Sequence, residues 1–200
     1  MTALAAAALG YRVHVFCPEA DCPAAQVAAA STVAGYDDRA ALHAFAAGIA
    51  VATYEFENIP HAGIAALAER VTVRPDPEVL RLTQDRATEK SFLNRIGVDT
   101  TLWRAVAHRH ELDAAVAATG MPAVLKTTRL GYDGKGQTTI RSAEDLDAAW
   151  AALGGAAGVV EAFVPFDCEI SVIVARGLDG GRQSYVPVEN WHKHHILDRT

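Results

Sequence analysis

Up to about residue 75, apolar and polar positions alternate between two rhythms: helical stretches of about ten residues and short apolar runs that read as strands. Residues 2–9 are alanine-rich and stop at Gly10, as a helix does, and residues 11–16 alternate before turning apolar like a sheet strand. The rhythm then repeats. Helices are predicted at 23–30, 38–47 and 61–69, and strands at 31–34, 49–54 and 71–73. Helices alternating with short apolar strands imply an open α/β layer on a parallel sheet covered on both faces. A doubly wound unit ordinarily opens with a strand that turns into its first helix. Here the pattern starts inside the helix, so the first strand is expected to be lacking, through a late reading frame or a cut chain.

Pro75 and Pro77 break this layer, and the pattern changes beyond them. Residues 78–84 resume a helix, and Asp85 stands where an N-cap would open the next one, which ends at Gly97. Strand 101–106, helix 109–119, strand 122–127, a glycine-rich loop, strand 137–140, helix 143–153 and strand 157–161 describe a compact α+β lobe. Residues 168–175 and 183–189 then read as two strands of one hairpin around a turn at 177–181. A hairpin alone buries no face, so this last lobe is expected to be unfinished. The expected division is 1–80, 81–165 and 166–200.

Composition narrows the function classes. Half of the 200 residues are apolar, enough for a core and one or two domains. A net charge of -6 with no basic run argues against nucleic acid as a partner. Apolar stretches fall short of a bilayer span and the N-terminus lacks the basic start of a signal peptide, which predicts a cytoplasmic chain without a membrane partner. Cys17, Cys22 and Cys168 have neither disulfide nor zinc spacing and read as buried free thiols. His192, His194 and His195 tempt a metal reading, but no second ligand cluster accompanies them, and a hydrogen bond from one imidazole to a nucleotide or phosphate fits better.

The most informative stretch is 123–137. An apolar strand delivers Lys126, and a loop with Gly131, Gly134 and Gly136 follows. Glycines let backbone N–H groups approach phosphate oxygens, and Lys126 and Lys135 add charge over which such a loop can close. The spacing is neither a P-loop nor a dinucleotide fingerprint, since Gln137 opens a strand. Two readings stay open on spacing alone, a phosphate lid and a tight hairpin.

Six segments taken together carry a resemblance to one family. They are 18–25, 53–60 with Tyr54, Glu55, Phe56, Glu57 and Asn58, 84–90 with Arg86, Lys126 with the loop 131–137, 160–164, and 169–172. In this order the chain resembles the 5-(carboxyamino)imidazole ribonucleotide synthase family of the ATP-grasp superfamily, over essentially its whole length. The resemblance implies an N-terminal pre-ATP-grasp, Rossmann-like domain, an ATP-grasp α+β lobe and the start of a second ATP-grasp lobe. It implies ATP-dependent carboxylation of aminoimidazole ribonucleotide with bicarbonate in purine biosynthesis, in a protein that is a homodimer when full length. By resemblance Arg86 and Lys126 contact the ATP phosphates, and Gly131, Tyr132, Asp133, Gly134, Lys135, Gly136 and Gln137 close over them. Glu161, Ala162, Phe163 and Val164 lie along the adenine, Glu169 meets the ribose, and His192 contacts the nucleotide. Tyr132 and Lys135 approach the imidazole ribonucleotide, Asp133 orients its amine or takes its proton, and Glu55 or Glu57 binds the same substrate.

The family pattern is interrupted at both ends. Its N-terminal glycine-rich segment is expected before Met1, and its acidic Mg2+ ligands are expected beyond residue 200, so no metal ligand is assigned here. Residues 1–200 alone are therefore expected not to complete the reaction. Two rivals remain, a formate-dependent or amino-acid ligase with the same grasp and a non-catalytic nucleotide-binding remnant.

Overall fold

The computed structural model describes residues 1–131, 135–194 and 196–200, which divide into two compact units, Met1–Asp85 and Arg86–Thr200. In the first, helix α1 (Thr2–Ala8) precedes β1 (His14–Cys17), which pairs in parallel with β2 (Ala30–Val33). Helix α2 (Arg39–Ala46) is opened by Asp38, whose carboxylate accepts from the Ala41 N–H at 2.9 Å. After α3 (His61–Ala68), α4 (Pro77–Thr83) has a proline in its first turn and Asp76 accepting from the Glu78 N–H at 2.9 Å. Phe45, Ile59, Ile64, Leu67, Val73 and Leu80 build the core, with Phe16, Tyr36 and Tyr54 packed at its edge.

Three predicted elements of this unit are shorter than expected. The helix at 23–30 is only the 3-10 turn Ala25–Val27, because the Ala29 and Ala30 N–H groups donate to the Val13 carbonyl at 2.9 and 3.3 Å and draw the chain into β2. Strands 49–54 and 71–73 meet only as a parallel bridge of Ala52 with Val73. The N–H groups of Ala52 and Arg74 close that bridge at 2.9 Å, and Pro75 has no N–H to extend it.

The second unit begins with α5 (Arg86–Arg95) and continues through β3 (Trp103–Val106), α6 (Arg109–Thr119), β4 (Ala123–Thr127), β5 (Gln137–Ile140), α7 (Leu146–Ala152) and β6 (Gly158–Ala162). Its four strands form an antiparallel sheet in the order β3, β6, β4, β5. Val106, Ala123, Leu125, Ile140 and Val160 share a core with Leu112, Ala115 and Val116 of α6 and Leu146 and Ala149 of α7. Strand alternation puts Lys126, Val159 and Glu161 on the opposite face. Leu112 is fully buried, and Leu112→Ala is expected to cost about 3 kcal/mol through transfer and cavity terms. Urea unfolding checks this, and a loss below about 1 kcal/mol would contradict the packing.

The hairpin expected from 168 to 189 is instead two ladders. Strand β7 (Glu169–Ser171) pairs with β10 (Val188–Lys193), and β8 (Val174–Arg176) pairs with β9 (Arg182–Ser184). Pro187 cannot donate between them, and the register slips by one residue across the break. A third strand, β11 (Ile196–Arg199), pairs antiparallel with β10 and was hidden by the polar, histidine-rich run before it. Among the described residues beyond Ala162 none is buried, and Ile170, Ile173, Trp191 and Ile196 are exposed. The thiols also depart from expectation, since only Cys22 is buried, Cys17 is partly covered and Cys168 is exposed. Among the described residues no helix is long and apolar enough to cross a membrane.

Candidate active site

The sheet face opposite the α6 and α7 core takes its chemistry from one helix. Arg86, Lys90 and Asn94 follow at four-residue spacing and so share a face of α5. The Arg86 guanidinium donates to the carbonyls of Thr127 at 2.8 Å and Gly131 at 3.0 Å, and its backbone N–H donates to Thr128 O at 2.9 Å. Lys90 Nζ lies 2.8 Å from Glu161 Oε1, and Asn94 Oδ1 accepts from the Trp103 indole at 3.0 Å. The helix has no buried residue, so this polar stripe is a large part of what docks it.

Glu161 is the centre of this face. In the β4–β6 register Lys126 opposes Val159 and Glu161 opposes Val124, which makes Lys126 and Glu161 diagonal neighbours within side-chain reach. Lys126 Nζ donates to Glu161 Oε2 at 2.6 Å while Lys90 holds the other oxygen. The Glu161 side chain is 9% exposed, that of Lys90 14% and that of Lys126 28%. Burial pushes the Glu161 carboxyl up, but hydrogen bonds and charge from Lys126 and Lys90 outweigh it and hold the carboxyl below its ordinary range. Two ammonium groups on one carboxylate leave a surplus positive charge, with Lys126 nearer to solvent.

Next to Lys126 the hairpin reading is met, because β4 and β5, the strands on either side of the glycine-rich segment, pair antiparallel. The Thr127 N–H donates to Gly136 O at 2.8 Å, and Gln137 opposes Lys126 at the start of β5. A Cβ on Gly131 would lie 3.0 and 3.1 Å from the Arg86 guanidinium nitrogens and 3.1 Å from the Lys135 carbonyl oxygen, so a side chain there would push that brace aside by a few tenths of an ångström. Gly136 has φ +71°, and a Cβ there would stand 2.7 Å from Thr127 Oγ1. Gly136→Ala is therefore expected to cost about 1–2 kcal/mol and lower the melting temperature. An unchanged melt would contradict the strain. Lys135 is exposed in the turn before Gly136. Tyr132, Asp133, Gly134 and His195 lie outside the described residues.

Beyond Glu161 the chain leaves the sheet. The Ala162 N–H donates to Leu102 O at 2.8 Å and the Phe163 N–H to Pro122 O at 3.1 Å, while the Ala162 carbonyl accepts from Thr101 Oγ1 at 2.9 Å. The backbone N–H and carbonyl of Ala162, in the segment expected along the adenine, are thus engaged within the protein. Phe163 and Val164 are half exposed. Farther on, the β7–β10 ladder brings Glu169 and His192 together, with His192 Nδ1 3.6 Å from Glu169 Oε1. Asn190 Nδ2 donates to Glu169 Oε1 at 3.2 Å and to Ser171 Oγ at 2.6 Å, fixing the carboxylate on its strand.

In the first unit Glu55 and Glu57 are exposed on an irregular segment. Glu55 Oε1 accepts from the Thr2 N–H at 3.1 Å, and the buried Gln84 donates through Nε2 to the carbonyls of Glu57 and Ile59, each at 2.5 Å. Gln84 and Lys90 were present in the motif yet received no role from sequence reasoning. Lys90 had a signal: the chain has four lysines against fourteen arginines, and Lys90, Lys126 and Lys135 are three of them. Among the described residues no three His, Cys, Asp or Glu side chains come together in a group that could hold a metal ion.

Two domain families match the chain, the ribonucleotide synthetase preATP-grasp domain over residues 1–84 and the ATP-grasp domain over residues 91–200. The chain belongs to the ATP-grasp family. An N5-carboxyaminoimidazole ribonucleotide synthase of Brucella melitensis is 47% identical to this ATP-grasp chain over 199 residues, 98% of this chain and 55% of the relative. That of Pseudomonas aeruginosa is 40% identical, with 98% and 54% covered. The crystal structure of the Staphylococcus aureus N5-carboxyaminoimidazole synthetase complexed with ADP matches at a TM-score of 0.93 and 34% identity, over 98% of this chain and 53% of that one. The ATP-grasp chain thus spans about half the length of the curated relatives it matches.

Proposed function

We propose that this chain carries the nucleotide-binding part of an ATP-dependent carbon–nitrogen ligase that carboxylates 5-aminoimidazole ribonucleotide with bicarbonate, releasing ADP and phosphate in purine synthesis. One observation carries the reading: Lys126, with surplus positive charge over Glu161, stands at the root of a glycine loop in a chain 47% identical to a synthase of that name. Bound ATP supplies the phosphoryl group that activates bicarbonate.

Lys126 holds a phosphate oxygen and offsets charge that develops during transfer. Arg86 braces the loop through Thr127 and Gly131, leaving its remaining donors for the phosphates. The loop from Gly131 to Gln137 closes over them and keeps water from the activated carbonate. Val164 offers its N–H to the adenine edge beside Glu161, Ala162 and Phe163. Glu169, oriented by Asn190, accepts from the ribose hydroxyls, with His192 beside it. Tyr132 and Lys135 are assigned to binding of the imidazole ribonucleotide and Asp133 to orienting its amine or taking its proton. Glu55 or Glu57, on the segment that Gln84 pins, is assigned to the same substrate. The reading includes Mg2+ as a cofactor and a cytoplasmic protein that is a homodimer when full length, an oligomeric state that sedimentation tests.

The activity is tested in a chimera in which residues 1–200 replace the matching part of the Brucella melitensis relative. ADP release is expected only with 5-aminoimidazole ribonucleotide and bicarbonate together. A folded chimera that releases ADP at the same rate without the ribonucleotide, or releases none, would contradict the proposal.

A further inference from the structure

The Glu161 cluster contains one cation more than a simple ion pair needs, and the second cation comes from a different element. Lys126 rises from β4 and takes Oε2; Lys90 comes from α5 and takes Oε1. Lys90 is the more buried of the two, and Lys126 is the one beside the glycine loop. A carboxylate this buried, once stripped of its counter-charge, is costly. If Lys126 alone neutralised Glu161, turning its ammonium toward an incoming phosphate would strand that charge, and the pair would present no net field to an anion. With Lys90 in place, Lys126 can exchange Glu161 Oε2 for a phosphate oxygen while Oε1 keeps its partner.

We infer that Lys90 is a positioning residue for nucleotide binding: it holds the charge of Glu161 so that Lys126 is available to the phosphates. The inference rests on the reading of Lys126 as the phosphate ligand. It assigns Lys90 no contact with the nucleotide. Its effect therefore runs through the Glu161 carboxylate, and removing that charge should remove the need for Lys90.

The test is a double-mutant cycle on the 200-residue chain, with ADP affinity measured by calorimetry. Lys90→Met is expected to raise the Kd about tenfold or more, and Lys90→Arg, which keeps the charge, to change it less than about threefold. In Glu161→Gln the further change Lys90→Met is expected to shift the Kd by less than about twofold, because a neutral amide needs no counter-charge. A merely structural Lys90 would instead give additive losses, with the double variant weaker than either single one, and that result would overturn the inference. Melting curves of all four proteins identify any variant that fails to fold, and the cycle is then read with Lys90→Gln in place of Lys90→Met and Lys90→Arg as the charge-keeping control. A Lys126→Met arm separates the two readings. If it leaves ADP affinity unchanged, the phosphate reading fails. If it weakens ADP binding while Lys90→Met does not, the inference about Lys90 fails alone.

Discussion

Glu161→Ala is expected to destabilise the Arg86–Thr200 unit by about 3 kcal/mol at neutral pH, because it leaves two half-buried or buried ammonium groups facing each other without their carboxylate. The effect is also expected to depend on pH in one direction. The folded carboxyl is held below the ordinary glutamate range, so its contribution is complete above the unfolded value of about 4.3 and is lost as pH falls through the folded value. Unfolding curves of the parent chain and of Glu161→Gln should therefore converge as the solution is acidified. A gap that widened toward acid would contradict the ion-pair account.

Lys126→Met is expected to weaken ADP binding by about 30-fold, the loss of a charge-assisted hydrogen bond to phosphate. Stability should change less than in Glu161→Ala, because Lys90 still neutralises the carboxylate. Cys17→Ala, in the other unit, should leave the affinity unchanged. Equal effects of the two substitutions in a titration calorimeter would remove Lys126 from the phosphates.

Local signals account for the elements that sequence reading placed well. Helix α6 matches at both ends because Glu111 accepts from the Ala107 and His108 N–H groups at 2.6 and 3.0 Å and Gly120 ends the helix at φ +83°. Strand β5 matches because the Gly136 turn fixes where pairing with Lys126 begins. The misses share a non-local cause. Whether residues 49–54 form a strand depends on partners for the ladder, and Ala52 finds only Val73 before Pro75 ends it. The break at Pro187 was readable as a missing donor, yet the one-residue slip between the two ladders was not.

The candidate site divides in the same way. Lys126 and its loop were legible because strand, lysine and glycines are contiguous. The Lys90–Glu161–Lys126 cluster was not, since it joins a helix to two strands 35 residues apart in sequence at Lys126 and Glu161. The engaged backbone of Ala162 was equally hidden, because its partners Leu102 and Thr101 precede β3, the neighbour of β6, and Thr101 is 61 residues away in sequence.

The central claim is that Lys126, released from Glu161, holds nucleotide phosphate beneath the glycine loop. A crystal structure of this chain with ADP tests it most directly. The account predicts a phosphate oxygen within hydrogen-bond distance of Lys126 Nζ, with Lys90 still on Glu161 Oε1. ADP bound elsewhere, or Lys126 still paired only with Glu161 and no phosphate beside it, would contradict the account.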